Sequence, residues 1–126
     1  MLLYFRGELG SGKTTLIRGL LRGLGLHEKV KSPTYTLVEL YVTSRLNLYH
    51  FDFYRFMDES EFVDAGLADY FRGKGVCLVE WPERAGGALP QPDLELTLAY
   101  SGAGRAITAS AHSPAGERCL AMCKCA

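Results

Sequence analysis

The sequence predicts an α/β protein with three layers, in which helices cover both faces of a mostly parallel central sheet. Two observations carry this prediction. A short apolar strand, Leu2–Phe5, is followed by a glycine-rich loop and then by an amphipathic helix, Thr14–Leu26. Further along, Val76–Glu80 is an apolar run ending in an acid, as is typical of a central strand covered on both faces. The length of 126 residues predicts a single domain, residues 1–126.

The glycine-rich loop, Gly7–Thr14, has the sequence GELGSGKT and matches the phosphate-loop pattern G-x-x-x-x-G-K-[ST]. Glycines let the backbone turn tightly and direct successive N–H groups at one anion, and the N-terminus of the next helix favours the same charge. In this pattern Lys13 reaches the β- and γ-phosphates, and the Thr14 hydroxyl ligates Mg²⁺. Strand, loop and helix occur in the order that the motif needs, which predicts a P-loop NTPase-like fold.

The next segments predict an addition to the parallel sheet. Pro33 prevents the first helix from continuing. Thr36–Val42 is rich in β-branched and aromatic residues and alternates in polarity, and Leu46–Phe53 has a similar character. The two predicted strands are separated by the three-residue turn Thr43-Ser44-Arg45, so we expect an antiparallel hairpin.

A second helix and two further strands are predicted in the remainder. Asp58 and Glu61 have the spacing of a capping box, and the apolar face of the helix that follows comprises Phe62, Val63, Leu67, Tyr70 and Phe71. Leu94–Tyr100 and Arg105–His112 alternate in polarity and predict two antiparallel edge strands. Pro114 occupies the first position of a last helix.

Composition limits the classes of function that are compatible with the sequence. The formal net charge is zero, so no overall basic character indicates nucleic acid. No apolar run approaches the roughly 20 residues of a membrane span, and the start of the chain lacks the features of a signal peptide, so we expect a cytoplasmic protein. Cys77 lies in an apolar strand and is predicted to be part of the core. Cys119 and Cys123 have no standard metal-binding spacing, which favours reduced thiols.

Two predicted strands end in acids, Asp52 and Glu80. The carboxyl ends of strands in an open α/β sheet face the ligand crevice, where the phosphate loop also lies. Either carboxylate could serve a metal, directly or through water, and the alternative for each is an ordinary strand-end acid.

Three other positions are candidates with alternatives. Thr34, in the segment Ser32-Pro33-Thr34, lies where P-loop switch proteins carry a hydroxyl that senses the γ-phosphate, although a simple turn also fits. Trp81 follows Glu80 and is predicted to be a switch or partner contact, or else a core residue. His50 is more typical of a packed histidine than of a ligand or base.

Four blocks of sequence together resemble the TsaE family, the bacterial ATPases of tRNA threonylcarbamoyladenosine biosynthesis. They are the phosphate loop, the segment VKSPTYTLVE at 30–39, the segment YHFDFYR at 49–55 and the segment LVEWPE at 78–83. The resemblance extends from about residue 2 to about residue 120. Family members usually have a longer segment before the first strand, which helps to hold the nucleotide base, whereas here Met1 directly precedes the strand.

The resemblance implies specific roles. Residues Leu9, Gly10, Ser11, Gly12, Lys13 and Thr14 would bind the phosphates of ATP. Thr14 and Glu80 would bind Mg²⁺, Asp52 would be the acidic Walker B residue, and Lys13, Asp52 and Glu80 would be catalytic. Ser32, Pro33, Thr34 and Trp81 would form switch or partner contacts.

The resemblance also implies partners, namely the TsaB and TsaD proteins, with tRNA reached only through the complex. The protein would not itself transfer the threonylcarbamoyl group; its ATP hydrolysis would be weak alone and would reset the complex between cycles. Two alternatives remain at this point. One is a nucleotide-sensing binding module with little turnover, and the other is a small-molecule kinase, for which the chain offers little room for a lid.

Overall fold

The computed structural model describes residues 1–26, 36–43 and 45–124, and within them a six-stranded sheet forms the centre of the molecule. The strands are β1 (Leu2–Arg6), β2 (Val38–Val42), β3 (Asn47–Asp52), β4 (Val76–Glu80), β5 (Leu94–Ser101) and β6 (Gly104–Ala111). Their spatial order is β2-β3-β4-β1-β5-β6. The pairs β3–β4, β4–β1 and β1–β5 are parallel, whereas β2–β3 and β5–β6 are antiparallel.

The helices are α1 (Lys13–Gly23), α2 (Glu59–Asp64) and α3 (Pro114–Lys124), with 3₁₀ helices at Ala68–Phe71 and Pro82–Ala88. Strand alternation divides the core into two clusters, one on each face of the sheet. Leu3 and Phe5 of β1 pack with Ile17 and Leu21 of α1 on one face. Leu2 and Tyr4 pack on the other face with a cluster that includes Phe51, Phe53, Phe56, Phe62 and Val79. This arrangement confirms the predicted three-layer α/β fold with a mostly parallel sheet.

The predicted second helix is shorter than expected. Its beginning is as predicted, since Asp58 and Glu61 form a complete capping box. Helix α2 then ends at Asp64, because Gly66 takes a left-handed conformation with φ 70° and its N–H donates to the Val63 carbonyl. Val63, a predicted member of the apolar face, is 63% exposed. The single predicted helix is therefore α2 followed by the separate 3₁₀ helix.

The two C-terminal strands also differ from the prediction in one respect. Of these two strands, β6 lies at an edge of the sheet and β5 does not, because β5 pairs in parallel with β1 as well as antiparallel with β6. Alternation of side chains cannot distinguish an edge strand from one with a second partner, since both leave one face buried. The pairing of β5 with β1 matters for the site, because it places the β5–β6 hairpin beside the loop that follows β1.

Across the described residues, none of the helices combines the length and the apolar character that a membrane span would need.

Candidate functional site

The candidate site is a cavity of about 300 Å³ at the carboxyl edge of the sheet. Three adjacent strands end there, β3 at Asp52, β4 at Glu80 and β1 at Arg6, and the loop after β1 leads into α1. Parallel neighbours bring these ends together, so Asp52 and Glu80 are register partners. The cavity is lined by Leu9, Gly10, Gly12, Lys13, Thr14, Thr15, Asp52, Tyr54, Glu80 and Trp81.

The loop has room for glycine alone at its first position. Gly7 has φ 150°, and a Cβ atom there would lie 2.5 Å from Ser11 Oγ and 2.7 Å from the Leu98 carbonyl oxygen. Gly12 has φ 104°, in the left-handed region, at the start of α1. The loop therefore folds tightly over β5, and Ser11 is fully buried, with an Oγ that has no hydrogen-bond partner among the described residues.

The Lys13 ammonium group lies inside this loop. Its Nζ donates to the carbonyl oxygens of Gly7 at 2.6 Å and Glu8 at 2.9 Å, and lies 4.3 Å from the centroid of the Trp81 ring. Burial lowers the pKa of Lys13, and the carboxylates of Glu80, Glu83 and Asp52 act in the opposite direction. The positive charge of Lys13 therefore contacts two neutral carbonyl groups and an aromatic face. An anion could replace these groups as the partner of Lys13.

The Glu80 carboxylate is the centre of a buried hydrogen-bond network. Thr14 Oγ1 donates to both of its oxygens, at 2.9 Å to Oε1 and 3.0 Å to Oε2. His50 Nε2 lies 2.7 Å from Oε2, and both side chains are almost fully buried. Thr14 thus touches Glu80 at the point where the phosphate loop enters α1.

Asp52 lines the same cavity from the neighbouring strand. It is 6% exposed, and its Oδ1 accepts a hydrogen bond of 3.0 Å from the Tyr54 backbone N–H. Two carboxylates and a hydroxyl therefore converge on one side of the cavity. Mg²⁺ is usually bound by one or two carboxylates together with substrate phosphates, so this set of oxygen donors fits that ion.

Trp81 covers one side of the cavity in an unusual backbone conformation. Its φ of 58° and ψ of 48° are left-handed, which is uncommon for a large side chain and marks a constrained position. The ring packs at 5.0 Å from Tyr54, and the Arg84 guanidinium lies over the indole at 5.6 Å. The half-buried indole thus contacts the Lys13 ammonium as well as the Tyr54 ring and the Arg84 guanidinium.

The β5–β6 hairpin holds the phosphate loop by its carbonyl groups. Tyr100 Oη donates to the Leu9 carbonyl at 3.2 Å, and Arg105 Nε donates to the Ser11 carbonyl at 3.2 Å. The Arg105 guanidinium also lies 4.2 Å from the Tyr100 ring centroid. In a planar trans peptide the N–H points opposite to the C=O. The N–H groups of Gly10 and Gly12 are therefore turned away from the hairpin.

Most of the residues predicted from sequence lie together. Of the predicted site residues, Leu9, Gly10, Gly12, Lys13, Thr14, Asp52, Glu80 and Trp81 line the cavity, and Ser11 is the fully buried residue of the loop. The predicted switch residues Ser32, Pro33 and Thr34 lie outside the described residues. Sequence reasoning missed Tyr54, Tyr100 and Arg105, and it treated His50 as packing. The sequence did contain a signal for His50. Residues two positions apart on a strand share a face of the sheet, and His50 lies two positions before Asp52.

Comparison with known families gives a match over most of the chain. The family described as "Threonylcarbamoyl adenosine biosynthesis protein TsaE" matches residues 1–107. The chain is 42% identical over 120 residues to a protein of Haemophilus influenzae named tRNA threonylcarbamoyladenosine biosynthesis protein TsaE, covering 95% of this chain and 76% of that protein. It is 47% identical over 100 residues to the Bacillus subtilis protein of the same name, covering 79% and 62% respectively.

A solved structure supports the same relationship. The crystal structure of YdiB from Bacillus subtilis superposes with a TM-score of 0.79 and 36% sequence identity, over 98% of this chain and 76% of the other. The matched region includes the phosphate loop and both strand-end acids.

Proposed function

The chain belongs to the TsaE family of threonylcarbamoyl adenosine biosynthesis proteins, and on this premise we propose that it is a magnesium-dependent ATPase of that pathway. One observation carries the proposal. The fold brings Lys13 and Thr14 of the phosphate loop into one cavity with Glu80 and Asp52. Phosphate binding, metal binding and hydrolysis each need one of these groups at this edge of the sheet.

In this proposal the loop binds the phosphates of ATP. The N–H groups of residues 9–14 form the anion site, and the N-terminus of α1 adds its dipole. Lys13 Nζ exchanges the Gly7 and Glu8 carbonyl oxygens for oxygens of the β- and γ-phosphates. The exchange replaces two neutral acceptors with charged ones, and a positive charge is attracted more strongly to an anionic oxygen than to a neutral carbonyl.

Thr14 and Glu80 are the residues that would hold Mg²⁺. When bound, the ion neutralises charge on the phosphate oxygens. Asp52 would orient water for attack on the γ-phosphorus, with cleavage of the bond to the β–γ bridging oxygen and release of ADP and phosphate. Within the described part of the chain, Lys13 is the only cationic side chain among the cavity-lining residues. We propose that hydrolysis is slow in isolation, since one cationic side chain stabilises only part of the charge of the transition state.

We further propose that TsaB and TsaD are the partners, that tRNA is reached through their complex, and that the protein acts in the cytoplasm. Hydrolysis would reset the complex, and the threonylcarbamoyl transfer would belong to the partners. Trp81 and the Ser32–Thr34 segment are the proposed switch contacts.

The second candidate function is a nucleotide sensor with little turnover. Lys13 is compatible with this function, because its ammonium group has partners in the loop that a phosphate could replace. Single-turnover hydrolysis with and without TsaB and TsaD separates the two.

The experiment that tests the proposed function uses two variants with matched controls. Lys13→Ala removes the charge that faces the phosphates, and Lys74→Ala, at an exposed position, is its control. Glu80→Gln removes the charge at the proposed metal site, and Glu117→Gln, on the exposed side of α3, is its control. We expect Lys13→Ala to lose Mg·ATP affinity in calorimetry and Glu80→Gln to lose magnesium-dependent turnover.

The cellular readout is threonylcarbamoyladenosine in tRNA, measured by mass spectrometry in a bacterium depleted of its own TsaE protein. Both controls should restore the modified nucleoside, and neither site variant should. Normal ATP affinity in Lys13→Ala would refute the assignment of the loop, and normal turnover of Glu80→Gln in the full complex would refute the metal role of Glu80.

A further inference from the structure

His50 is buried beneath the cavity. Among the described residues, its one hydrogen-bond partner is Glu80. The side chain is 0% exposed, with Nε2 2.7 Å from Glu80 Oε2. The other ring nitrogen, Nδ1, is also buried and has no partner among the described residues. A histidine retained only for packing would be replaceable by an apolar ring of similar size, which would leave no polar atom unpaired.

The hydrogen bond fixes which ring nitrogen carries the proton. A carboxylate oxygen only accepts hydrogen bonds, so Nε2 must be the donor. In the neutral ring Nδ1 is then unprotonated, and among the described residues no acceptor for a proton on Nδ1 lies within hydrogen-bond distance. The geometry therefore specifies the tautomer of His50.

The hydrogen bond from His50 also makes the two carboxylate oxygens of Glu80 inequivalent. Thr14 Oγ1 is shared between them at 2.9 and 3.0 Å, whereas His50 binds Oε2 alone. A carboxylate held on one oxygen cannot rotate freely about its last torsion angle. Oε2 thus has both His50 and Thr14 as partners, whereas Oε1 has Thr14 alone and is the oxygen left more available to the cavity.

We propose that His50 is a positioning residue that orients the Glu80 carboxylate for Mg²⁺. This inference rests on the proposed function, because it assigns the orientation a role in binding the metal. Partners of this kind, which orient a metal ligand without touching the metal, typically contribute about 10- to 100-fold in metal affinity or activity.

The test uses two substitutions that separate the donor from the ring. His50→Phe keeps an aromatic ring of similar volume but removes the Nε2–H donor. His50→Gln keeps an amide N–H that reaches close to the position of Nε2. Tyr49→Phe is the control on the same strand, since successive residues of a strand face opposite sides of the sheet. The assay is ADP binding by calorimetry, first in EDTA and then across a Mg²⁺ titration.

In EDTA all variants should bind ADP like the unmodified chain, because the loop and Lys13 are untouched. The Mg²⁺ concentration at half-effect should rise about 10- to 100-fold in His50→Phe, and His50→Gln should recover most of that loss. An unchanged magnesium requirement in His50→Phe would overturn the proposal. So would an equal loss in His50→Gln and His50→Phe, because restoring an N–H donor near the position of Nε2 would then have no effect on magnesium binding.

A second measurement needs neither nucleotide nor a stable variant at position 50. Nitrogen NMR of the histidine ring in the unmodified chain should show His50 protonated at Nε2 and unprotonated at Nδ1, with the Nε2–H signal shifted in Glu80→Gln. The opposite tautomer would overturn the proposal even if His50→Phe failed to fold. If instead the unmodified chain bound ADP with no response to Mg²⁺, the proposed metal site would fail, while the tautomer would still decide the His50–Glu80 contact.

Discussion

The two hydrogen bonds from the β5–β6 hairpin to the phosphate loop predict that residues outside the motif set nucleotide affinity. Tyr100 and Arg105 hold the Leu9 and Ser11 carbonyls, and so turn the following N–H groups away from the hairpin. If those N–H groups bind phosphate, releasing the carbonyls lets the loop sample other conformations, and binding must then reorder it. Affinity for ADP should therefore fall although no nucleotide contact is removed.

The size of the effect follows from the interactions that each substitution removes. Tyr100→Phe removes one neutral hydrogen bond from an exposed side chain, which places it at about 0.5 kcal/mol, the low end of the usual range. Arg105→Met removes a charged donor on an exposed side chain, about 1 kcal/mol after allowance for solvent, and a guanidinium–ring interaction of about 0.5 kcal/mol. We therefore expect affinity losses of about twofold for Tyr100→Phe and about tenfold for Arg105→Met.

The assay is calorimetric titration with ADP in Mg²⁺, with Arg118→Met on α3 as the control. A double variant should lose less than the product of the single losses, because Arg105→Met already removes the ring interaction that steadies Tyr100. If Arg105→Met bound ADP as tightly as the control, the carbonyl anchors would have no part in ordering the loop, and the reasoning from peptide geometry would be refuted.

Two further predictions concern stability. A Cβ at Gly116 would lie 1.8 Å from the Asp93 carbonyl oxygen, so Gly116→Ala should destabilise the fold by about 1–3 kcal/mol in urea unfolding. Gly19→Ala, in α1 with nothing within 4 Å of its Cβ, should instead stabilise it by about 0.5–1 kcal/mol; equal effects would refute the role of the clash. The Asp93 carboxylate has its pKa lowered below its usual value, chiefly by the hydrogen bond from Ser113 Oγ and also by that from the Leu2 N–H, against partial burial. A carboxyl group whose pKa is lowered by folding stabilises the fold at pH values above its pKa in the unfolded chain, and this stability is lost as the pH falls through its pKa in the folded chain. Below about pH 4 the melting temperature should therefore drop less steeply in Asp93→Asn than in the unmodified chain. Parallel pH profiles of the two proteins would show that this carboxylate does not couple to folding.

Local sequence was sufficient to predict the phosphate loop and the strands that carry the acids. The loop depends on residues within eight positions, Gly7–Thr14, and the positive φ angles of Gly10 and Gly12 favour glycine there whatever their neighbours are. Asp52 and Glu80 were predictable because apolar runs end at both, and parallel strands bring their carboxyl ends to one edge. The end of α2 was missed because the apolar spacing continues past Gly66, where the left-handed conformation of the glycine breaks the helix.

The tertiary structure determined which residues hold the site residues in place. His50 and Glu80 are 30 positions apart, and Tyr100 and Arg105 are 91 and 94 positions from the loop residues that they bind. These contacts arise because β4 is inserted between β3 and β1, and β5 pairs on the other side of β1. The sequence alone was therefore sufficient to identify the groups that we propose as ligands of phosphate and metal, through their spacing along the chain. The order of strands in the sheet determined which groups hold them in place, because hydrogen bonds act across about 3 Å whatever the distance along the chain.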